Sequence, residues 1–176
     1  MTLFNNKYRI ESTRLLNWDY GWNGYYFVTI CTKDRGDILG KIIKGKIMLN
    51  DFGNFAKKFW QTIPEHFPFT ILDEFVVMPD HVHGIIIIDK NDNIQNDPGQ
   101  REFGKPVKQS VSAIIGSYKS IVTRTINKEN PDNKFEWQSG FYDRIIRDRD
   151  ELNNVRTYII NNPLQNIHKS EMDYDM

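Results

Sequence analysis

Cysteine is nearly absent from this 176-residue chain: Cys31 stands alone. No disulfide can form within the chain, and a reducing, cytoplasmic setting is the expectation. Cys31 itself lies in an apolar stretch and reads as a small core residue. No run of about 18 apolar residues occurs, so no membrane-spanning helix is expected. Met1-Thr2-Leu3-Phe4-Asn5-Asn6-Lys7 lacks the basic-then-apolar order of a secretory signal. An excess of one charge is missing too, since 23 Lys and Arg balance 23 Asp and Glu. Nothing therefore pulls the whole chain toward a polyanion, and any such contact must rest on local basic patches. What the chain does have is ordinary apolar content with 13% aromatic residues. At this length that suffices for one domain, 1–176, with a sizeable core, and it argues against disorder.

The pattern alternates strands and helices. Residues 1 to about 24 are irregular, with basic and aromatic residues interleaved (Arg9, Arg14, Trp18, Tyr20, Trp22). Such an arm can stack bases, but packing over a sheet face is the commoner use. Tyr25 to Thr32 is rich in β-branched and aromatic residues and reads as a strand. Ile42-Ile43 and Ile47-Met48-Leu49 flank Lys44-Gly45, a small hairpin. Phe52, Phe55, Ala56, Phe59, Trp60 and Ile63 recur at helical spacing, and Pro64 ends that helix. Thr70 to Met78 is a further strand. A polar loop spans about 89–106. Ser110 opens a second helix whose apolar stripe includes Tyr118 and whose surface carries Lys119 and Arg124. Phe141 to Asp148 leads into a last helix, expected from about Arg149 to Asn162 and stopped by Pro163. The tail from about 170 is acidic and expected to be loose.

One stretch concentrates the chemistry. Val76-Val77-Met78-Pro79-Asp80-His81-Val82-His83-Gly84-Ile85-Ile86-Ile87-Ile88 reads as two buried strands joined by a tight turn. Alternation along a strand puts His81 and His83 on one face and Val82 on the other. Their Cα atoms then stand roughly 6.5–7 Å apart, a spacing from which two imidazoles can share a metal ion. The bland alternative, two hydrogen-bonded histidines at the edge of a core, explains the triplet alone about as well. On the last helix Leu152, Val155 and Ile159 make an apolar stripe. Tyr158 and Asn162, four apart, sit one turn from each other at its edge. Two histidines and an amide oxygen form a mixed N/O set suited to a divalent ion with open positions. Such an ion polarises a phosphoryl oxygen, which a nearby tyrosine, a weak nucleophile on its own, can then attack.

In this order the residues resemble a known family. Val77-Met78-Pro79-Asp80-His81-Val82-His83 is similar to the histidine–hydrophobe–histidine motif of the HUH endonucleases, above all the single-tyrosine, REP-associated transposases. The likeness extends to Trp137-Gln138, to Asp143 through Asp148, and to Tyr158-Ile159-Ile160-Asn161-Asn162-Pro163. It implies an α+β, ferredoxin-like antiparallel sheet with helices packed on one face. It further implies metal-dependent cleavage and joining of single-stranded DNA, often at hairpins, through a 5′-phosphotyrosine. His81, His83 and Asn162 then correspond to metal ligands, for Mg²⁺ or Mn²⁺, and Tyr158 to the nucleophile. Arg144 and Arg147 match basic positions before the helix and are assigned to phosphate contacts, with Lys119 and Arg124 as further DNA-binding candidates. The resemblance allows a homodimer with sites completed across subunits. Tyr118 offers a rival tyrosine, but its place on an apolar stripe makes it core. Two other readings stay open: a hairpin-binding protein of the same fold without cleavage, and an unrelated histidine-ligated zinc hydrolase.

Overall fold

The computed structural model describes residues 3–4, 7–8, 18–33, 35–90 and 109–172, without the side chains of 3–4, 7–8 and 164–172. Most of the basic-aromatic arm and of the polar loop expected over 89–106 lies outside these residues, as do residues 173–176 of the tail. The elements run β1 (Leu3–Phe4), β2 (Lys7–Tyr8), β3 (Gly24–Cys31), β4 (Gly40–Ile43), β5 (Lys46–Leu49), α1 (Asp51–Gln61), α2 (Ile63–His66), β6 (Thr70–Val77), β7 (His81–Ile88), α3 (Val111–Glu129), β8 (Tyr142–Ile146) and α4 (Arg149–Met172). Among the described residues no helix is long and apolar enough to cross a membrane.

The main sheet has four strands in the order β6-β7-β3-β8, every neighbouring pair antiparallel. Taken in chain order with α1 and α3 as crossovers, this is the βαββαβ arrangement of a ferredoxin-like α+β fold, as expected from the sequence. β4 and β5 form a separate ribbon, turned at Lys44 and Gly45 with φ of 49° and 75°. Positive φ at both turn positions is what a two-residue hairpin of this hand requires.

The expectation of helices on one face holds for the crossovers only. Tyr26, Val28, Ile30, Val82 and Ile86 face α1 and α3 in the larger core. Ile85 and Ile146 face the opposite way and are covered by Val155 and Ile159 of α4. Strand alternation explains this directly: a central strand apolar on both sides needs cover on both sides. Gly84 shows how tightly the α1 side is packed, since a Cβ there would lie 2.2 Å from the ring of Trp60.

Three further differences have local causes. Pro64 opens α2 instead of only ending a helix, a position where its missing N–H costs nothing. Pro163 does not stop α4, whose backbone continues to Met172; proline's φ is helical, and the lost hydrogen bond and the crowding of the carbonyl four residues back are borne within the helix. Tyr142–Ile146 is a strand on the sheet edge, although Asp143 and Arg144 disguise it as a polar linker.

Candidate active site

Register brings the site together. Met78 N–H donates to the carbonyl of His81 (2.8 Å), closing the turn around Pro79 and Asp80. Thr32 pins that turn through its N–H and hydroxyl, both donating to the Asp80 carbonyl at 2.8 and 3.0 Å. β7 then pairs with β3 so that His83 stands opposite Thr29 and His81 opposite Cys31. Directly opposed residues share a face, and this is the face that α4 covers. The expected placement of His81 and His83 on one side is therefore what the fold delivers, with ring centroids 4.4 Å apart.

Each imidazole is held by its Nδ1. Asp80 Oδ1 lies 2.5 Å from His81 Nδ1, and Thr29 Oγ1 lies 2.8 Å from His83 Nδ1. Partners at Nδ1 fix the ring orientation and leave Nε2 as the outward nitrogen, the arrangement that supports metal-ligating histidines. Burial drives the pKa of His83 down to about 3, with the neighbouring His81 adding to the effect. His83 is thus a neutral imidazole. Burial works to raise the pKa of Asp80, but the hydrogen bond and charge of His81 outweigh it and keep the carboxyl below its ordinary value. Phe27 stacks on His83 with centroids 5.4 Å apart.

Helix α4 supplies the rest. Its first turn is capped reciprocally: Asp148 Oδ1 accepts from Glu151 N–H (2.8 Å), and Glu151 Oε2 accepts from Arg147 N–H (3.0 Å). Tyr158, 39% exposed, directs its hydroxyl to within 3.4 Å of His83 Nε2, and its ring meets Phe27 edge-on at 6.0 Å. One turn on, Asn162 is buried to 5% exposure. Its Oδ1 has no hydrogen-bond partner among the described residues. A buried acceptor left open is costly unless something meets it, so the donor set of two Nε2 atoms and one amide oxygen fits a divalent cation. Among the described residues no group of three His, Cys, Asp or Glu side chains does the same.

The other candidates separate. Arg144 lies on the histidine face, paired by register with Phe27, and its Nε is 3.3 Å from Glu151 Oε1. Arg147 is exposed just before α4. Lys119 and Arg124 belong to α3, whose apolar stripe packs against the far face of the sheet. The Lys119 ammonium donates to the carbonyls of Gln138 and Gly140, both at 2.7 Å. Tyr118 is core, its hydroxyl donating to the Ala56 carbonyl at 3.1 Å. Sequence reasoning missed Thr29 and Phe27, whose partners are distant in the chain. Asp80, adjacent to His81, could have been read from the sequence as a carboxylate support.

How α4 is held decides where Tyr158 sits. Val155 and Ile159 are buried against Ile85 and Ile146, each contributing roughly 1.5–3 kcal/mol when fully buried. Orientation comes from Arg156, whose Nε and Nη2 donate to the two oxygens of Asp73 at 2.9 and 2.6 Å. Asp73 lies in β6 on the face of Ile71, where the register shifts between Leu72 and Phe75. The Arg156 hydrogen bonds hold the Asp73 carboxyl below its ordinary range. A depressed folded-state value means the contribution is complete above about pH 4 and fades as pH falls through the folded value. Asp73→Asn is expected to lower the melting temperature by a constant amount between pH 5 and 7. That difference should shrink below about pH 4. Melts in which the gap persists unchanged to pH 2.5 would exclude this ion pair as its source.

Comparisons with known proteins speak to family and fold. The family described as IS200-like transposases matches residues 103–162, the segment that ends with Tyr158 and Asn162. A Haemophilus influenzae protein of unassigned function is 40% identical over 159 residues, covering 88% of each chain. A second protein from that organism, provisionally named a REP-associated tyrosine transposase, is 27% identical over 84% of this chain and 74% of its own. Among solved structures, a REP-associated tyrosine transposase bound to a REP hairpin superposes with a TM-score of 0.54 at 16% identity. That match covers 89% of this chain and 74% of the other; identity this low speaks to the fold alone.

Proposed function

From the premise that the chain belongs to the IS200-like transposase family, and so to the transposases of the tyrosine kind, we propose that it nicks and rejoins single-stranded DNA at hairpins through Tyr158. The observation that carries the proposal is the convergence of the Tyr158 hydroxyl on His83 Nε2 at 3.4 Å. A nucleophile beside a proposed metal ligand can act on a phosphate held there. The hairpin is carried over from the structural relative's bound DNA.

In this reading the Tyr158 oxygen attacks the scissile phosphorus, forming a phosphotyrosine on the 5′ side. The bond to the 3′ oxygen breaks, that oxygen takes a proton from solvent and leaves as a hydroxyl, and the phenolic proton passes to solvent. Attack by a 3′-hydroxyl on the phosphotyrosine reverses the step and rejoins strands without an external energy source. His81, His83 and Asn162 would hold a divalent ion, Mg²⁺ or Mn²⁺. Bound there, it would polarise the phosphate as a Lewis acid. Asp80 and Thr29 keep the two imidazoles in orientation, and Phe27 walls the site from below. Arg144, on the same face, would meet a neighbouring phosphate.

The test is incubation of labelled single-stranded hairpin DNAs with the protein and Mn²⁺ or Mg²⁺, followed by denaturing electrophoresis. A protease-sensitive adduct together with a shorter labelled product is the expected result. Binding without cleavage or adduct, across a broad hairpin pool and both metals, would refute the nuclease and leave a hairpin-binding protein.

A further inference from the structure

A cavity of about 410 Å³ opens beside Tyr158 at the β8 edge of the sheet. Phe27 and Thr29 form its floor, Tyr142 and Arg144 its outer wall, and Asn154 with Tyr158 its helical side. Register explains the floor and wall: Thr29 pairs with Tyr142 and Phe27 with Arg144, so all four project on the histidine face. β8 is the last strand of the sheet, which leaves the cavity accessible from solvent. Tyr142 is 58% exposed there, a large aromatic side chain standing free at the mouth of an apolar hollow.

The chemistry of the lining is that of a nucleotide site. Aromatic rings offer stacking surfaces to a base, and stacking is tolerant of base identity. Asn154 is exposed at the rim, and an amide presents both a donor and an acceptor to a base edge. Arg144 is 60% exposed at its side chain beyond its contact with Glu151, which suits a phosphate. The volume lies in the range of small-ligand sites. Helix geometry then sets an order. Asn154, Tyr158 and Asn162 recur every four residues along one edge of α4, about 6 Å apart. The base-reading amide, the nucleophile and the open acceptor therefore follow one another in a line.

We propose that this cavity receives one unpaired nucleobase, from the nucleotide next to the scissile phosphate, with Tyr142 stacking on it and Asn154 reading its edge. The proposal rests on the reading of Tyr158 as a DNA nucleophile, and it adds a specificity site to it.

The experiment separates the two ideas by using binding as well as cleavage. Tyr158→Phe protein is titrated with hairpin DNAs that carry an abasic residue at each successive position flanking the hairpin. One position is expected to cost roughly tenfold or more in Kd. In Tyr142→Ala, Tyr158→Phe protein that cost should fall below about twofold, because the stacking partner is already gone. In protein with an intact Tyr158, Asn154→Ala should relax the base preference at that position among adducts formed from a pool randomised around the hairpin. Equal abasic penalties with and without Tyr142, or an unchanged preference profile in Asn154→Ala, would overturn the pocket. An abasic penalty that depends on Tyr142 while wild type forms no adduct would keep the pocket and refute the nuclease. Failure to bind any hairpin would refute both.

Discussion

Tyr158→Phe is expected to abolish the covalent adduct and to lower strand cleavage by on the order of 10⁴-fold or more, the scale seen when a nucleophile is removed. The variant removes one oxygen and little else. The ring keeps its edge contact with Phe27 and its contact with His83. At 39% exposure the hydroxyl is not a buried support, so stability should change by no more than about 0.5 kcal/mol. Hairpin affinity should likewise stay near that of wild type, because the lost group acts at the reacting phosphorus. Tyr118→Phe is the informative control. Its hydroxyl is buried on the Ala56 carbonyl, so its loss is expected to cost about 1 kcal/mol of stability and to leave the adduct intact. Quantifying adduct and product for the two variants on one hairpin checks both statements. Cleavage that survives Tyr158→Phe at the wild-type rate would reject the phosphotyrosine route and return attention to the histidines as a hydrolytic centre.

The difference between these two tyrosines was legible in the chain, because helical phase places one on an apolar stripe and the other at its edge. Strand alternation likewise placed His81 and His83 on one side. Local periodicity could not supply the partners across the sheet. Thr29 and His83 are 54 residues apart, and only the β3–β7 register makes them neighbours. The register shift in β6 is equally hidden, and so is the pairing of Asp73 with Arg156, 83 residues away. Strand β8 was concealed because its Asp143 and Arg144 give it the composition of a loop. Cover on both sheet faces follows from Ile85 and Ile86 being buried in different cores; a continuous apolar run reports burial without saying what does the burying. In each case the missing information is a pairing between distant segments, and the site is built from such pairings.

His83→Ala is expected to reduce Mn²⁺ or Mg²⁺ affinity by more than about 100-fold, beyond what loss of an outer-shell partner costs, and to remove the adduct with it. His83 is the central contact of the site. Thr29 holds its Nδ1, Phe27 stacks on its ring, His81 meets it edge-on and the Tyr158 hydroxyl faces its Nε2. Alanine therefore removes a proposed ligand and also the surface on which Tyr158 rests, so His83→Leu is needed beside it to retain side-chain bulk without a donor atom. If ligation is the role, both variants lose metal affinity by calorimetry. If packing alone is the role, the leucine variant binds metal like wild type. Asp80→Asn supplies the graded case. It leaves both imidazoles in place but replaces the carboxylate that orients His81, and a supporting residue of this kind is worth about 10- to 100-fold in metal affinity. The expected ranking is wild type above Asp80→Asn above His83→Ala. Wild-type Mn²⁺ affinity in His83→Ala would sink the assignment of His83 as a ligand, since the metal would then be held without it.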